Sequence, residues 1–285
     1  MKVISAVSEL QNRIRILNLS PIGLVPTMGA LHEGHLSLVK NAVNKCSLII
    51  VSIYVNPTQF NDKEDLKNYP RTIDHDLAML KTVLRENDIV FTPDDAEIYP
   101  VEDKRVFHFG NLDNVMEALL RPGHFNGVGQ VISRFFEIVK PDFGFFGQKD
   151  FQQLAVIKEL VRQTGDKVII VGNPIVRESD GLAMSSRNRL LGQEIRKTAP
   201  IIYKSILSAS VSLSDLDIPE IKDQVINTIN RVEGFHVEYF EIVDDRELKC
   251  VNKKNEMKPG KRYFGCIAVR AGKIRLIDNI EFPLC

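Results

Sequence analysis

The sequence predicts an α/β fold: a parallel sheet covered by helices on both faces, followed by a smaller α+β unit. Three observations carry this expectation. Short, almost wholly apolar runs such as "LIIVSIYV" (48–55) alternate with stretches of helical periodicity, and strands apolar on both faces belong in a sheet buried on both sides. From about residue 190 the order changes, with helices preceding three alternating strands. The polar clusters fall mostly where strands run into helices, the edge at which open parallel sheets bind ligands.

Along the chain, residues 5–17 have helical periodicity and lead into the strand "IGLVPT", and residues 35–45 lead into "LIIVSIYV". Residues 73–86 read as helix, "DIVFTP" as strand, 127–139 as helix, "DFGFF" as strand, and 150–163 as helix before "KVIIVGNPIV". Helical stretches near 192–210 and 218–231 then precede "FHVEYFEIVD", "KRYFGCIAVR" and "KIRLIDNI", the pattern of an antiparallel sheet. The polar loop at 176–181 is the expected boundary, giving units of residues 1–178 and 179–285. No internal repeat interrupts this order.

A chain of 285 residues, 44% of them hydrophobic, can bury one large core or two smaller ones. Its 37 basic and 37 acidic residues cancel, so it lacks the positive field of a nucleic-acid binder. No nucleic-acid partner is expected. The N-terminal stretch has no continuous apolar segment of the signal-peptide kind, and the longest apolar runs are far too short to span a membrane. A cytoplasmic protein with no membrane partner is the expectation. Cys46, Cys250, Cys266 and Cys285 are scattered without C-x-x-C spacing, which reads as reduced thiols.

Four polar clusters carry the chemistry. In "PTMGALHEGHLSL" (26–38), a strand runs into Met28, Gly29 and the pair His32 and His35, and then into a helix. Glycines allow close backbone approach, and a helix start offers N–H groups and a positive dipole end to an anion. A zinc site would call for H-E-x-x-H on a helix; here the pair is i, i+3 with Gly34 inside, so phosphate is the better reading. Two exposed loop histidines are the structural alternative. No metal ligands are assigned.

After "LIIVSIYV" come Asn56 and Gln59, carboxamides that suit a small substrate bearing hydroxyl and carboxylate groups, although Asn-Pro is also an ordinary turn signal. In "PDFGFFGQKDFQQL" (141–154), Gly147 permits close approach, Lys149 offers a cation, and Gln153 lies one turn into the next helix. It is not a Walker A loop, and Asp150 has the plain alternative of an N-cap. In "VRESDGLAMSSRNRLL" (176–191), Ser185, Ser186 and Arg187 read as a polyphosphate clamp or as a solvated linker. No nucleophile elbow marks a covalent mechanism, so positioning and charge neutralisation are expected.

Together "PTMGALHEGHLSLV", "VSIYVNPTQF", "YPRT", "RPGHFNGV", "FFGQKDFQQL" and "VRESDGLAMSSRN" closely resemble the pantothenate synthetase (pantoate beta-alanine ligase) family over most of residues 20–190. The resemblance implies a Rossmann-like nucleotidyltransferase domain with a smaller C-terminal lid domain, and a homodimer. It implies that ATP and pantoate form pantoyl adenylate with release of pyrophosphate, and that beta-alanine then displaces AMP, with magnesium neutralising the triphosphate.

Carried over by position, the resemblance places ATP against Met28, Gly29, Ala30, Leu31, His32, Glu33, Gly34 and His35, and against Gly147, Gln148, Lys149 and Asp150. Val176, Met184, Ser185, Ser186 and Arg187 complete that site. His35, His32 and Lys149 would be catalytic, with His35 the family's assigned proton donor. Gln59 and Gln153 would hold pantoate, Gln59 would also face beta-alanine, and Asn56 would assist. Glu117 and Arg121 would support the "RPGHF" region. Two departures stand out: Gln130 where threonine is common, and no glycine after Glu117.

Overall fold

The structure is a computed structural model that describes residues 1–61 and 63–283. Six parallel strands form the large sheet: β1 (Lys2–Ile4), β2 (Ile22–Thr27), β3 (Leu48–Ile53), β4 (Ile89–Phe91), β5 (Phe143–Gly147) and β6 (Ile169–Asn173), in the order β1-β4-β3-β2-β5-β6. The helices between them are α1 (Val7–Leu17), α2 (Glu33–Lys45), α3 (Lys63–Asn68), α4 (Ile73–Lys81), α5 (Asp95–Ile98), α6 (Glu117–Leu120), α7 (His124–Val139) and α8 (Phe151–Thr164). After them come α9 (Gln193–Thr198), α10 (Ile201–Val211) and α11 (Ile218–Asn230), then β7 (Phe235–Asp244), β8 (Tyr263–Ala271) and β9 (Ile274–Phe282), which form an antiparallel three-stranded sheet. The predicted α/β class, with its parallel sheet and smaller α+β part, is the one observed.

The apolar strands divide their side chains between two cores. Leu24, Leu48, Ile50 and Phe91 pack with α7 and α8 on one face, while Val25, Ile49, Val51 and Val90 pack with Leu36 and Val39 of α2 and Leu80 of α4 on the other. Successive residues of a strand point to opposite faces, so a strand covered on both sides must be apolar at every position. A third cluster lies between α10, α11 and the antiparallel sheet.

Three elements differ from the sequence expectation. β1 is only three residues long, too short to show a period, and pairs with β4 at the sheet edge. The helix expected at 73–86 stops at Lys81, where Thr82 Oγ1 donates back to the Met79 carbonyl and the chain turns toward Asp88, whose carboxylate accepts from the backbone N–H groups of Arg85 and Ile49. The helix expected at 192–210 is two, α9 and α10, because Pro200 has no N–H with which to continue the ladder. Of the cysteines, Cys46, Cys250 and Cys266 are free thiols, and Cys285 lies outside the described residues.

Candidate active site

β2 pairs with β3 on one side and β5 on the other, so the connections leaving β2 and β5 diverge at their carboxyl ends. That is the switch point at which open parallel sheets leave a crevice. One cleft there is lined by Met28, His32, Gly34, His35, Asn56, Gln59, Gly147, Lys149, Asp150, Gln153, Val176, Met184, Ser185, Ser186 and Arg187. The four sequence clusters therefore converge. Gly29, Ala30, Leu31, Glu33 and Gln148, expected beside them, do not line that cleft.

Their structure explains the difference. Gly29 and Ala30 both adopt left-handed backbone conformations, with φ of 77° and 49°, which turn the chain sharply out of β2. The turned N–H groups of Ala30 and Leu31 point at the buried Asp76 carboxylate, at 2.9 and 2.8 Å, and Thr72 Oγ1 donates to the same group. Ser186 Oγ donates to the Ala30 carbonyl at 2.9 Å. These residues thus shape the turn from behind. Glu33 pairs with Lys40 instead, and the Gln148 N–H donates to Asn173.

His32 is the N-cap of α2, and its Nδ1 accepts from the Gly34 N–H at 3.1 Å. Accepting at Nδ1 fixes the proton of the neutral ring on Nε2. A Cβ at residue 34 would lie 2.8 Å from the His32 ring, so glycine is needed there for the cap rather than only for ligand approach. The His35 ring lies beside that of His32, centroids 4.1 Å apart and planes tilted by 40°, and its Nδ1 is buried with no hydrogen-bond partner among the described residues. Burial, then the neighbouring His35 and Lys149, lowers the His32 pKa to about 3; burial, then Lys149, lowers that of His35 to about 4. Without ligand both rings are neutral at pH 7, each able to donate one hydrogen bond.

On the β3 side, the Asn56 amide nitrogen donates to Gln59 Oε1 and to the Gly127 carbonyl, while its oxygen accepts from Tyr99 and Thr58. Its polar atoms are all engaged, so Asn56 orients Gln59 more than it offers itself to a ligand. Gln59 keeps its Nε2 group on the cleft side, beside Met28 Sδ. Gln153 faces it from the first turn of α8, and the wall between them is apolar, formed by Val128, Val131, Ile132 and Phe135 of α7. The sequence expectation missed this wall, although Val128, Val131, Ile132 and Phe135 recur at the three- and four-residue spacing of a single helix face.

Lys149 Nζ lies 3.8 Å from Asp150, which stands at the N-cap position of α8 as the plain reading has it, although its side chain makes no capping bond. Gly147 has open space where a Cβ would stand. Arg187 lines the cleft, with its guanidinium 3.0 Å from Asp65 Oδ2 and near the Tyr69 ring.

A second chamber adjoins the first and shares Met28, Gln59, Lys149, Asp150, Gln153 and Arg187 with it. Its far side is an ion cluster. Glu117 accepts two bonds from Arg275 at 2.7 Å and one from Tyr239 at 2.8 Å, and Arg121 stands 3.8 Å away. Burial pushes the Glu117 carboxyl up, but Arg275 outweighs it and the pKa ends below the ordinary value. Ala118, where the expected glycine is missing, is partly buried against the main core. Gln130, the other departure, ties α7 to the carbonyls of Asp103 and Arg105, each at 2.9 Å.

Among the described residues no group of three or more His, Cys, Asp or Glu side chains is arranged to hold a metal ion. No helix among them is long and apolar enough to cross a membrane.

The family model for pantoate-beta-alanine ligase matches residues 2–281. The chain is 49% identical to the pantothenate synthetase of Azobacteroides pseudotrichonymphae genomovar. CFP2, covering 99% of this chain and 100% of that one. It is 47% identical to that of Bacteroides fragilis (strain YCH46), covering 99% of each. Among solved structures, a pantothenate synthetase from Thermus thermophilus superposes with a TM-score of 0.90 at 37% identity, covering 99% of this chain and 100% of that chain. The pantoate-beta-alanine ligase of Francisella tularensis, complexed with beta-gamma ATP and beta-alanine, superposes with a TM-score of 0.76 at 33% identity, covering 98% and 97%. With a family model spanning nearly the whole sequence and relatives matched end to end, the chain belongs to the pantoate-beta-alanine ligase family.

Proposed function

We propose that this protein condenses pantoate with beta-alanine in two steps at one site, using ATP. The carrying observation is the convergence of His32, His35, Lys149 and Arg187 with Gln59 and Gln153 on a single cleft. A carboxylate is a poor electrophile, so it is first activated. A pantoate carboxylate oxygen attacks the α-phosphorus of ATP, and pyrophosphate leaves with the electron pair of the broken P–O bond. The beta-alanine amine then attacks the acyl carbon, AMP departs with the bridging oxygen, and the amine gives up a proton.

The triphosphate would lie along the start of α2, where the neutral His32 and His35 rings donate hydrogen bonds and Lys149 and Arg187 supply positive charge. Gln59 and Gln153 would hold the hydroxy acid against the apolar wall of α7. His35, which lines the cleft beside His32, would hydrogen-bond the triphosphate. Arg187 exchanges Asp65 for phosphate as the mouth closes over the nucleotide.

Magnesium is commonly held by one or two carboxylates together with substrate phosphates. Asp150, cleft-facing and without a capping bond, fits that role and would hold the ion, which supplies charge neutralisation. A homodimer, a cytoplasmic location, and a division into a nucleotide unit (1–178) and a lid unit (179–285) belong to the same proposal. Sedimentation equilibrium tests the dimer.

The reaction is tested by release of pyrophosphate. It should require ATP, magnesium and pantoate together, and pantothenate should form only when beta-alanine is added. Pyrophosphate release that ignores pantoate would overturn the assignment.

A further inference from the structure

Asn279, in β9 of the C-terminal sheet, lies 130 residues along the chain from Lys149 yet donates to its backbone carbonyl. Its amide nitrogen bonds the Gln148 carbonyl at 2.9 Å and the Lys149 carbonyl at 3.1 Å. The residue is 2% exposed, so no water replaces those bonds at low cost. Both acceptors lie in the turn between β5 and α8, where the chain leaves the sheet and the carbonyls have no ladder partner of their own. Two carbonyls on one side leave the amide a single sensible orientation, with nitrogen toward them. This accounts for the Asn279 oxygen being buried with no partner among the described residues.

The strand that carries Asn279 is anchored to the opposite wall of the cleft. Arg177, next to Val176, donates to Asp278 at 2.6 and 3.0 Å and to the Asn279 carbonyl at 3.3 Å, and its guanidinium lies 3.7 Å from the Tyr203 ring. The Asn279 N–H in turn donates to Asp278 at 2.7 Å. The dipeptide Asp278-Asn279 therefore spans from the loop that follows β6, at Arg177, to the turn at Lys149.

We propose that Asn279 is a positioning residue for adenylation, holding the Gln148-Lys149 turn so that the Lys149 ammonium is set against the nucleotide phosphates. This rests on the proposed function above. It gives the C-terminal sheet a part in the first chemical step, in addition to covering the site. Asn279 acts through Lys149, so its contribution vanishes when Lys149 is removed.

A double-mutant cycle on the full-length protein tests this, using Asn279→Ala, Lys149→Ala and the double variant, with pantoate-dependent pyrophosphate release as the readout. Misplacing a catalytic group by up to about an ångström costs on the order of ten- to a hundredfold. Asn279→Ala should lower kcat by that order in the presence of Lys149, with the KM for pantoate unchanged. In the Lys149→Ala background it should have almost no further effect. Losses that multiply would show a general structural role and overturn the proposal, as would an unchanged kcat. Should Asn279→Ala not fold, Asn279→Ser, which keeps a short polar group, goes through the same cycle with the same two outcomes. Wild-type protein that releases no pyrophosphate in response to pantoate would instead overturn the functional reading itself.

Discussion

The Asp76 carboxylate accepts a hydrogen bond from the Ala30 N–H at 2.9 Å, joining the first turn of α4 to the turn after β2. With Leu31 and Thr72 as further donors, it sits in the concavity of a turn whose successive backbone N–H groups converge on it, an arrangement that elsewhere binds anions. The anion behind the turn directs the chain so that Met28 and His32, on either side of it, face the cleft.

Asp76→Asn should therefore damage both stability and turnover. The amide would set an N–H against a backbone N–H, and a hydrogen bond to a charged group contributes about 1.5–3 kcal/mol. Urea denaturation should show a loss of that size, and kcat/KM for ATP should fall. An unchanged midpoint with full activity would mean that the turn holds without the carboxylate.

Gly34→Ala separates the cap from the fold. The new Cβ would stand 2.8 Å from the His32 ring, which must leave its bond to residue 34, while alanine itself favours the helix. Adenylation should drop by about tenfold or more while the thermal midpoint barely moves. Retained activity would show that the His32 cap is not needed to aim its ring.

Lys149→Ala and His35→Ala remove groups aimed at developing charge. Each should lower the adenylation rate by about 10²- to 10³-fold, with circular dichroism and the melting midpoint close to wild type. Failure of either variant to fold at ordinary temperature would assign that residue to structure.

The three histidines with lowered pKa predict an acid limb in stability. Burial, followed by neighbouring cations, lowers His32 to about 3 and His35 and His124 to about 4, from 6.5. Below 6.5 the unfolded chain takes up protons that the folded chain excludes, so the stability these groups contribute falls as pH drops from 6.5 to about 3 and is constant above 6.5. Denaturation midpoints measured across this range should decline, and His35→Gln should shallow the decline. A flat profile would show that these rings titrate normally.

Much of this was legible in the sequence because its causes are local. The double-faced apolar strands specify a parallel sheet, and the clusters ending at Met28, Asn56, Gly147 and Val176 had to gather where that sheet opens. What sequence did not reveal depends on long-range partners. Nothing around Asp76 announces that it will bond Ala30, 46 residues away, and Asn279 and Arg275 lie in a region without a distinguishing motif. The backbone use of Gly29, Ala30 and Leu31 was hidden for the same reason: residues in one motif divide between facing the ligand and holding those that do.

In the acyl-adenylate route, one pantoate carboxylate oxygen becomes bonded to the α-phosphorus of ATP and stays there when the amide forms. Pantoate labelled with heavy oxygen in its carboxylate, turned over with ATP and beta-alanine, tests this by mass spectrometry of the nucleotide product. One labelled oxygen should appear in AMP and none in pyrophosphate. Unlabelled AMP formed together with pantothenate would contradict the acyl-adenylate route.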